Sequence, residues 1–219
     1  MASAFDAFVA RVRHALRGQL PGLAAHVRMA PRPRDGWRPM APPADARSAA
    51  ALLLVFPRDD RPHVALTLRS ASLMHHGGQI SLPGGRIEPD ETVEAAALRE
   101  AHEEIGLVSS AVEVVGRLTP LHIPVSGFVL HPVVGAVGQT PRFDAAAHEV
   151  ARVLEVPVDT LADPGHLRLR SRMHEGRRYE IPYVPIEGEA LWGATAMVLS
   201  EFLWALGTPV GFDPPTPTD

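Results

Sequence analysis

REAHEEIGL, residues 99–107, places three glutamates within five positions of a segment with helical spacing. At about 100° per residue, Glu103 and Glu104 fall about 60° and 40° to either side of Glu100, so all three share one stripe. Like charges at i,i+3 and i,i+4 repel by a few tenths of a kcal/mol per pair. Leu98 and Ile105 project from the opposite side, which leaves the stripe free to face a cleft or solvent. Two readings stand at this point. One is a solvated acidic face, the usual meaning of such a cluster; the other is a divalent-cation site built from hard oxygen ligands.

The whole chain narrows the setting. Its 219 residues, 46% hydrophobic and 21% charged, suit one well-cored domain with additions. A formal net charge of -4 argues against a general binder of nucleic acid or anionic membrane. All 21 basic residues are arginine, which a compositional bias toward Ala, Pro and Arg explains better than phosphate recognition does. The absence of cysteine excludes disulfides, thiolate metal sites and cysteine nucleophiles. Phe5, Phe8, Val9, Val12 and Leu16 follow helical spacing, and the charges among them set this opening segment apart from a signal peptide. A cytoplasmic protein without membrane spans is the expectation.

Outward from the acidic stretch, Pro89 and Asp90 mark a helix start, with Asp90 or Thr92 as N-cap, and Gly106 marks its stop. The Gly-rich segment before it reads as a loop with room for one short strand near Ile80. Strands are expected at Ala50–Phe56, His63–Arg69, Ala111–Arg117, Phe128–Val137 and Val150–Val156. Leu167–Arg172 and Arg177–Tyr183 flank HEG as a hairpin, and Leu191–Leu206 reads as a second helix. Residues 1–46 are expected to hold an N-terminal helix and a Pro/Arg-rich connector, 47–208 the main domain, and 209–219 a disordered tail. Strands and helices in this mixed order indicate an α/β sandwich.

The spacing Gly85, five residues, Glu91, seven residues, Arg99-Glu100, Ala101, His102, Glu103-Glu104, Ile105, Gly106-Leu107 resembles the signature box of the Nudix hydrolases at every fixed position. Ala101 is a small occupant of an aliphatic slot, and His102 fills an unrestricted one. The resemblance implies a Nudix-type α/β/α sandwich with a mixed β-sheet and a loop-helix-loop catalytic box. It further implies that Glu100, Glu103 and Glu104 hold Mg²⁺ or Mn²⁺, with the Gly85 carbonyl as a further ligand. Glu91, Arg99 and Gly106 are implied to be structural.

A second, narrower resemblance lies upstream. LTLRSASLMHHGG (residues 66–78) leading to Pro83-Gly84-Gly85 is similar to the pattern LLTxRSxxLxxHxG…FPGG of coenzyme A pyrophosphatases within the family. Ala65 and Leu82 depart from it, both conservatively. Arg69, Ser70, Leu73, His76 and Gly78 are therefore candidate substrate contacts, whereas His75 matches nothing fixed. His148-Glu149-Val150 resembles a later segment of the same subfamily, which makes Glu149 a candidate alongside Glu103 for the catalytic base. The expected reaction is metal-dependent hydrolysis of coenzyme A or its derivatives to 3',5'-ADP and 4'-phosphopantetheine or its acylated form. The alternatives are a Nudix hydrolase for ADP-ribose, dinucleotide cofactors or dNTPs, and a non-catalytic nucleotide-binding regulatory domain. The expected partner is a small-molecule substrate, not nucleic acid or membrane, with a homodimer left open.

Overall fold

The apolar run 49–56 sets the architecture. In the computed structural model, which describes residues 3–33, 42–71, 77–174 and 176–213, it becomes the centre of β1 (Arg47–Arg58). Successive side chains of a strand point to opposite faces, and here both faces are buried. Ala51, Leu53 and Val55 enter one apolar core; Ala50, Leu52, Leu54 and Phe56 enter a second. A strand covered on both sides has no polar face to alternate with, so its sequence reads as one continuous hydrophobic run.

Before β1 lie α1 (Ala4–Leu16) and α2 (Leu23–His26). After it come β2 (Arg61–Arg69), β3 (Ile80–Ser81), β4 (Gly84–Arg86), α3 (Val93–Ile105), β5 (Glu113–Arg117) and β6 (Leu121–Ile123). The chain continues through β7 (Phe128–Ala136), β8 (Val150–Pro157), α4 (Val158–Ala162), β9 (Arg168–His174), β10 (Arg177–Ile186), β11 (Glu189–Leu191) and α5 (Gly193–Ala205). β1 pairs antiparallel with β2 and β4 and parallel with β7, so the main sheet is mixed. β3 and β8 extend it beside β2, β5 and β6 beside β7, while β9, β10 and β11 form a separate antiparallel sheet.

α3 covers one face of the main sheet with Ala96, Ala97, Ala101 and Ile105, all fully buried. The small alanines let the helix approach closely, so Ala101 suits its slot. On the other face, Phe5, Phe8, Val9 and Val12 of α1 join Val198, Leu199, Phe202 and Leu203 of α5. A helix apolar on nearly all sides must be enclosed, and α5 is: residues 195–203 are buried without interruption. The result is the expected α/β/α sandwich.

Several elements differ from expectation for local reasons. The strand expected from Ala111 begins at Glu113, because Ser109–Ala111 forms a 3-10 turn. The glycine-rich loop holds β4 in addition to β3. A Cβ at Gly84 would lie 2.3 Å from the Ala50 carbonyl oxygen, and two of the three β4 residues are glycines, so the strand offers no period to read. The connector also engages the fold: Arg32 and Glu180 exchange backbone hydrogen bonds of 2.8 and 2.7 Å. Of the stretch 209–219, residues to Asp213 are described, and the Arg32 guanidinium donates to the carbonyls of Phe212 and Asp213. Among the described residues no helix is long and apolar enough to cross a membrane.

One buried polar cluster fastens the N-terminal elements to α5. The Glu201 carboxylate is fully buried and accepts from Gly22 N–H (3.1 Å), Thr119 N–H (3.2 Å) and Thr119 Oγ1 (2.6 Å), with His26 Nε2 at 2.9 Å. Removing one partner of such a cluster strands the others in a low-dielectric interior, at a cost of about 3–5 kcal/mol. Glu201→Ala should therefore lose about that much in a urea unfolding experiment.

Candidate functional site

α3 is delimited by local chemistry. Thr92 caps it, its Oγ1 accepting from Ala95 N–H at 3.2 Å, and Gly106 ends it in the left-handed conformation (φ 67°). The close approach of Asp144, whose Cβ lies 2.9 Å from where a Gly106 Cβ would stand, also requires glycine there. The apolar face of α3 is fixed on the sheet, which turns Glu100 and Glu104 toward β4. Gly85 lets this happen: a Cβ on it would sit 2.5 Å from the Glu100 carboxylate. Gly84 N–H donates to Glu104 at 3.3 Å, and Arg69 Nη1 lies 3.7 Å from the other Glu104 oxygen.

Arg99 organises the rest. It donates to both Glu91 oxygens (2.9 and 3.0 Å), to Glu100 (2.9 Å), to Glu103 (3.1 Å) and to the Arg86 carbonyl (3.0 Å). The Glu91–Arg99 ion pair is thus in place and ties the loop before α3 to the helix. Arg99's reach to Glu103 is legible in the sequence as an i,i+4 pair. The roles of Gly84 N–H and the Arg86 carbonyl have no sequence signal, because backbone groups belong to every residue.

Glu149 comes to the cluster along the backbone. Asp144 N–H donates to the Ile105 carbonyl and Ala146 N–H to the Glu104 carbonyl, both at 2.9 Å, docking this loop on the end of α3. Ser70 N–H then donates to the Glu149 carbonyl at 2.8 Å. The Glu149 side chain is 42% exposed, 3.4 Å from His148 Nε2. Arg69 and Gly78 close the base of the intervening loop: Gly78 N–H donates to the Arg69 carbonyl and Arg69 N–H to the Gln79 carbonyl, each at 3.0 Å. Leu73, His75 and His76 lie outside the described residues.

The charges are poorly compensated. Glu104 is 3% exposed, and that burial pushes its carboxyl up to about 7. Arg69 and the Gly84 N–H oppose the rise, while repulsion from Glu100 and Glu149 adds to it. Glu100 is also held above the usual carboxylate range, first by burial and then, against the pull of Arg99, by Glu103 and Glu149. Glu91 goes the other way, lowered chiefly by its hydrogen bond from Arg99.

The donor set consists of hard oxygens, the kind Mg²⁺ and Mn²⁺ prefer. A divalent cation would relieve the repulsion that raises Glu100 and Glu104. In chemistry and charge the residues fit such an ion. As placed, no three acidic or histidine side chains converge on one point among the described residues; Glu100 and Glu103 both turn to Arg99 Nη1.

Known proteins resemble this chain in sequence. The NUDIX domain model matches residues 46–176, which takes in Arg69, Gly85 to Gly106 and Glu149. The chain is 36% identical over 162 residues to the Nudix hydrolase NudL of Citrobacter koseri, across 74% of this chain and 84% of that one. It is 35% identical over 159 residues to NudL of Escherichia coli O7:K1, across 72% and 82% respectively. Among solved structures, the Nudix hydrolase RenU from M. smegmatis is similar at 28% identity and a TM-score of 0.43, over 54% of this chain and 74% of that one. With the family model spanning more than half the sequence and the box complete from Gly85 to Leu107, the chain belongs to the Nudix hydrolase family.

Proposed function

We propose that the protein hydrolyses the pyrophosphate of coenzyme A and its derivatives, with Mg²⁺ or Mn²⁺, to 3',5'-ADP and 4'-phosphopantetheine or its acylated form. The observation that carries this reading is the meeting of two motifs. Arg69, from the stretch that resembles coenzyme A pyrophosphatases, lies 3.7 Å from Glu104 of the box, and its neighbour Ser70 is bonded to the backbone of Glu149.

Glu100 and Glu104 would be the main cation ligands, joined by Glu103 and the Gly85 carbonyl. The cation, when bound, neutralises phosphate charge and lowers the pKa of water. Arg69 holds a phosphate oxygen; its Nε is buried without a hydrogen-bond partner among the described residues, and a substrate oxygen would supply one. Ser70, Leu73, His76 and Gly78 are the further candidate substrate contacts of this stretch. Glu149, more exposed than Glu100 and Glu104, is suited to receive a proton from water and pass it to solvent, with Glu103 as the other base. Glu91 and Arg99 keep the loop and α3 in register.

Turnover of coenzyme A, ADP-ribose, NADH and dNTPs under the same metal conditions tests the assignment. Coenzyme A should be cleaved fastest; faster cleavage of ADP-ribose would assign the enzyme to another substrate class. Metal binding has its own readout. At a concentration of about 100 times its Kd, either ion should add about 2.7 kcal/mol to unfolding stability. That increment should vanish in Glu100→Gln.

A further inference from the structure

The smaller sheet carries an arginine that the reaction described above does not use. On one face of β9 and β10, Arg168 stands opposite Tyr183 and Arg170 opposite Ile181. β11 continues past Leu191, the partner of Val184, to Trp192 in extended conformation (φ -150°), which alternation places on the face of Tyr183. The Arg170 guanidinium carbon lies 5.1 Å from the centroid of the Trp192 ring and 5.5 Å from that of Tyr183. Its Nε is buried with no hydrogen-bond partner, and it makes no ion pair among the described residues.

The charge around it is one-sided. Arg168 and Arg172 share its face, whereas Glu180 pairs with Ser171 and points to the other. α5 begins immediately after Trp192 with no acid in its first turn. A guanidinium braced on two rings loses little freedom on binding and presents a fixed fork, the geometry that suits a phosphate.

Its position relates it to the glutamate site. Thr195 Oγ1, in the first turn of α5, donates to the Ile80 carbonyl at 3.4 Å. The preceding residue, Gln79, accepts from Arg69 N–H at 3.0 Å. The first turn of α5, which follows Trp192, is thus joined through β3 to the strand that carries Arg69.

We propose that Arg170, braced on Trp192 and Tyr183, is a subsite for a phosphate monoester, and that it holds the 3'-phosphate of the ADP half while the pyrophosphate lies at the glutamates. The identity of that phosphate rests on the coenzyme A reading given above; the subsite itself rests on the stack. Steady-state kinetics of Arg170→Met on coenzyme A and on 3'-dephospho-coenzyme A test it, with Arg178→Met, on the opposite face of the sheet, as control. The KM for coenzyme A should rise about tenfold or more, the loss expected for a charge-assisted phosphate contact. The kcat should stay within about twofold, as for loss of uniform binding. The dephosphorylated substrate and the control should be unaffected. An equal change on both substrates, or none, overturns the subsite and leaves the proposed reaction standing. Calorimetric titration with 3',5'-ADP and 5'-ADP separates the remaining case. If coenzyme A is not turned over but 3',5'-ADP binds more tightly in an Arg170-dependent way, the subsite holds and the proposed reaction falls. Equal affinity for the two nucleotides overturns the subsite.

Discussion

Glu104→Gln should reduce turnover by about 10²–10³-fold, the range seen when one electrostatic contact to a reacting centre is removed. The same change should make the metal-free protein more stable at neutral pH and above. The two effects share a cause. Burial raises the Glu104 carboxyl from its ordinary 4.5 to about 7, so the native state resists ionisation that the unfolded chain accepts. At about 1.4 kcal/mol per tenfold change in proton affinity, that rise is worth about 3 kcal/mol. The sign follows from proton uptake. Between about pH 4.5 and 7 the unfolded state has released this proton while the native state keeps it, so stability falls as pH rises through that window. Above about 7 the loss is complete; below about 4.5 it is absent. Urea unfolding in a chelator should show the variant more stable than the parent by about 3 kcal/mol near pH 8 and level with it near pH 4. A destabilised variant that keeps its turnover would make Glu104 a structural residue.

Gly85→Ala and Gly84→Ala should fail in opposite ways although they are neighbours. A Cβ added at Gly85 would stand 2.5 Å from the Glu100 carboxylate, the far end of a flexible side chain. The carboxylate swings aside, the backbone stays, and the cation ligand is misplaced. A displacement of about 1 Å at a reacting centre can lower the rate about 10²-fold. Gly85→Ala should show a loss of that order with a nearly unchanged unfolding midpoint. At Gly84 the added Cβ meets backbone, 2.3 Å from the Ala50 carbonyl oxygen and 2.6 Å from the Ala51 Cα. Neither can yield without parting β4 from β1, so Gly84→Ala should lower stability by about 1–3 kcal/mol or more. Thermal unfolding and kinetics of the two variants side by side check this pair.

The elements legible in the sequence are those with a long period or an unmistakable boundary. β1 announces itself by an apolar run buried on both faces, and α3 by Thr92, its glutamate stripe and Gly106. β4, β6, β11, α2 and α4 span three to five residues apiece, too few to show a period. At the site, spacing marks the box and the Arg69 stretch, and the fold brings Arg69, Glu104 and Glu149 together. Spacing does not show that Arg99 bonds Glu100 and Glu103 together with Glu91, since one guanidinium can satisfy several acids and only coordinates choose among them. Glu201 escapes notice because a lone glutamate in an apolar helix resembles a surface residue. Its donors, Gly22, His26 and Thr119, are far away in sequence. Arg170 is hidden for a related reason: in a chain whose basic residues are all arginine, composition does not distinguish the one stacked on two rings.

Mass-spectrometric analysis of coenzyme A incubated with the protein and Mg²⁺ or Mn²⁺, with parallel samples containing a chelator or Glu104→Gln, tests the proposed hydrolysis itself. The metal-loaded protein should release 3',5'-ADP and 4'-phosphopantetheine in equal amounts, the chelator sample neither, and Glu104→Gln about 10²–10³-fold less. Intact coenzyme A in the metal-loaded sample, or equal product in all three, would contradict it.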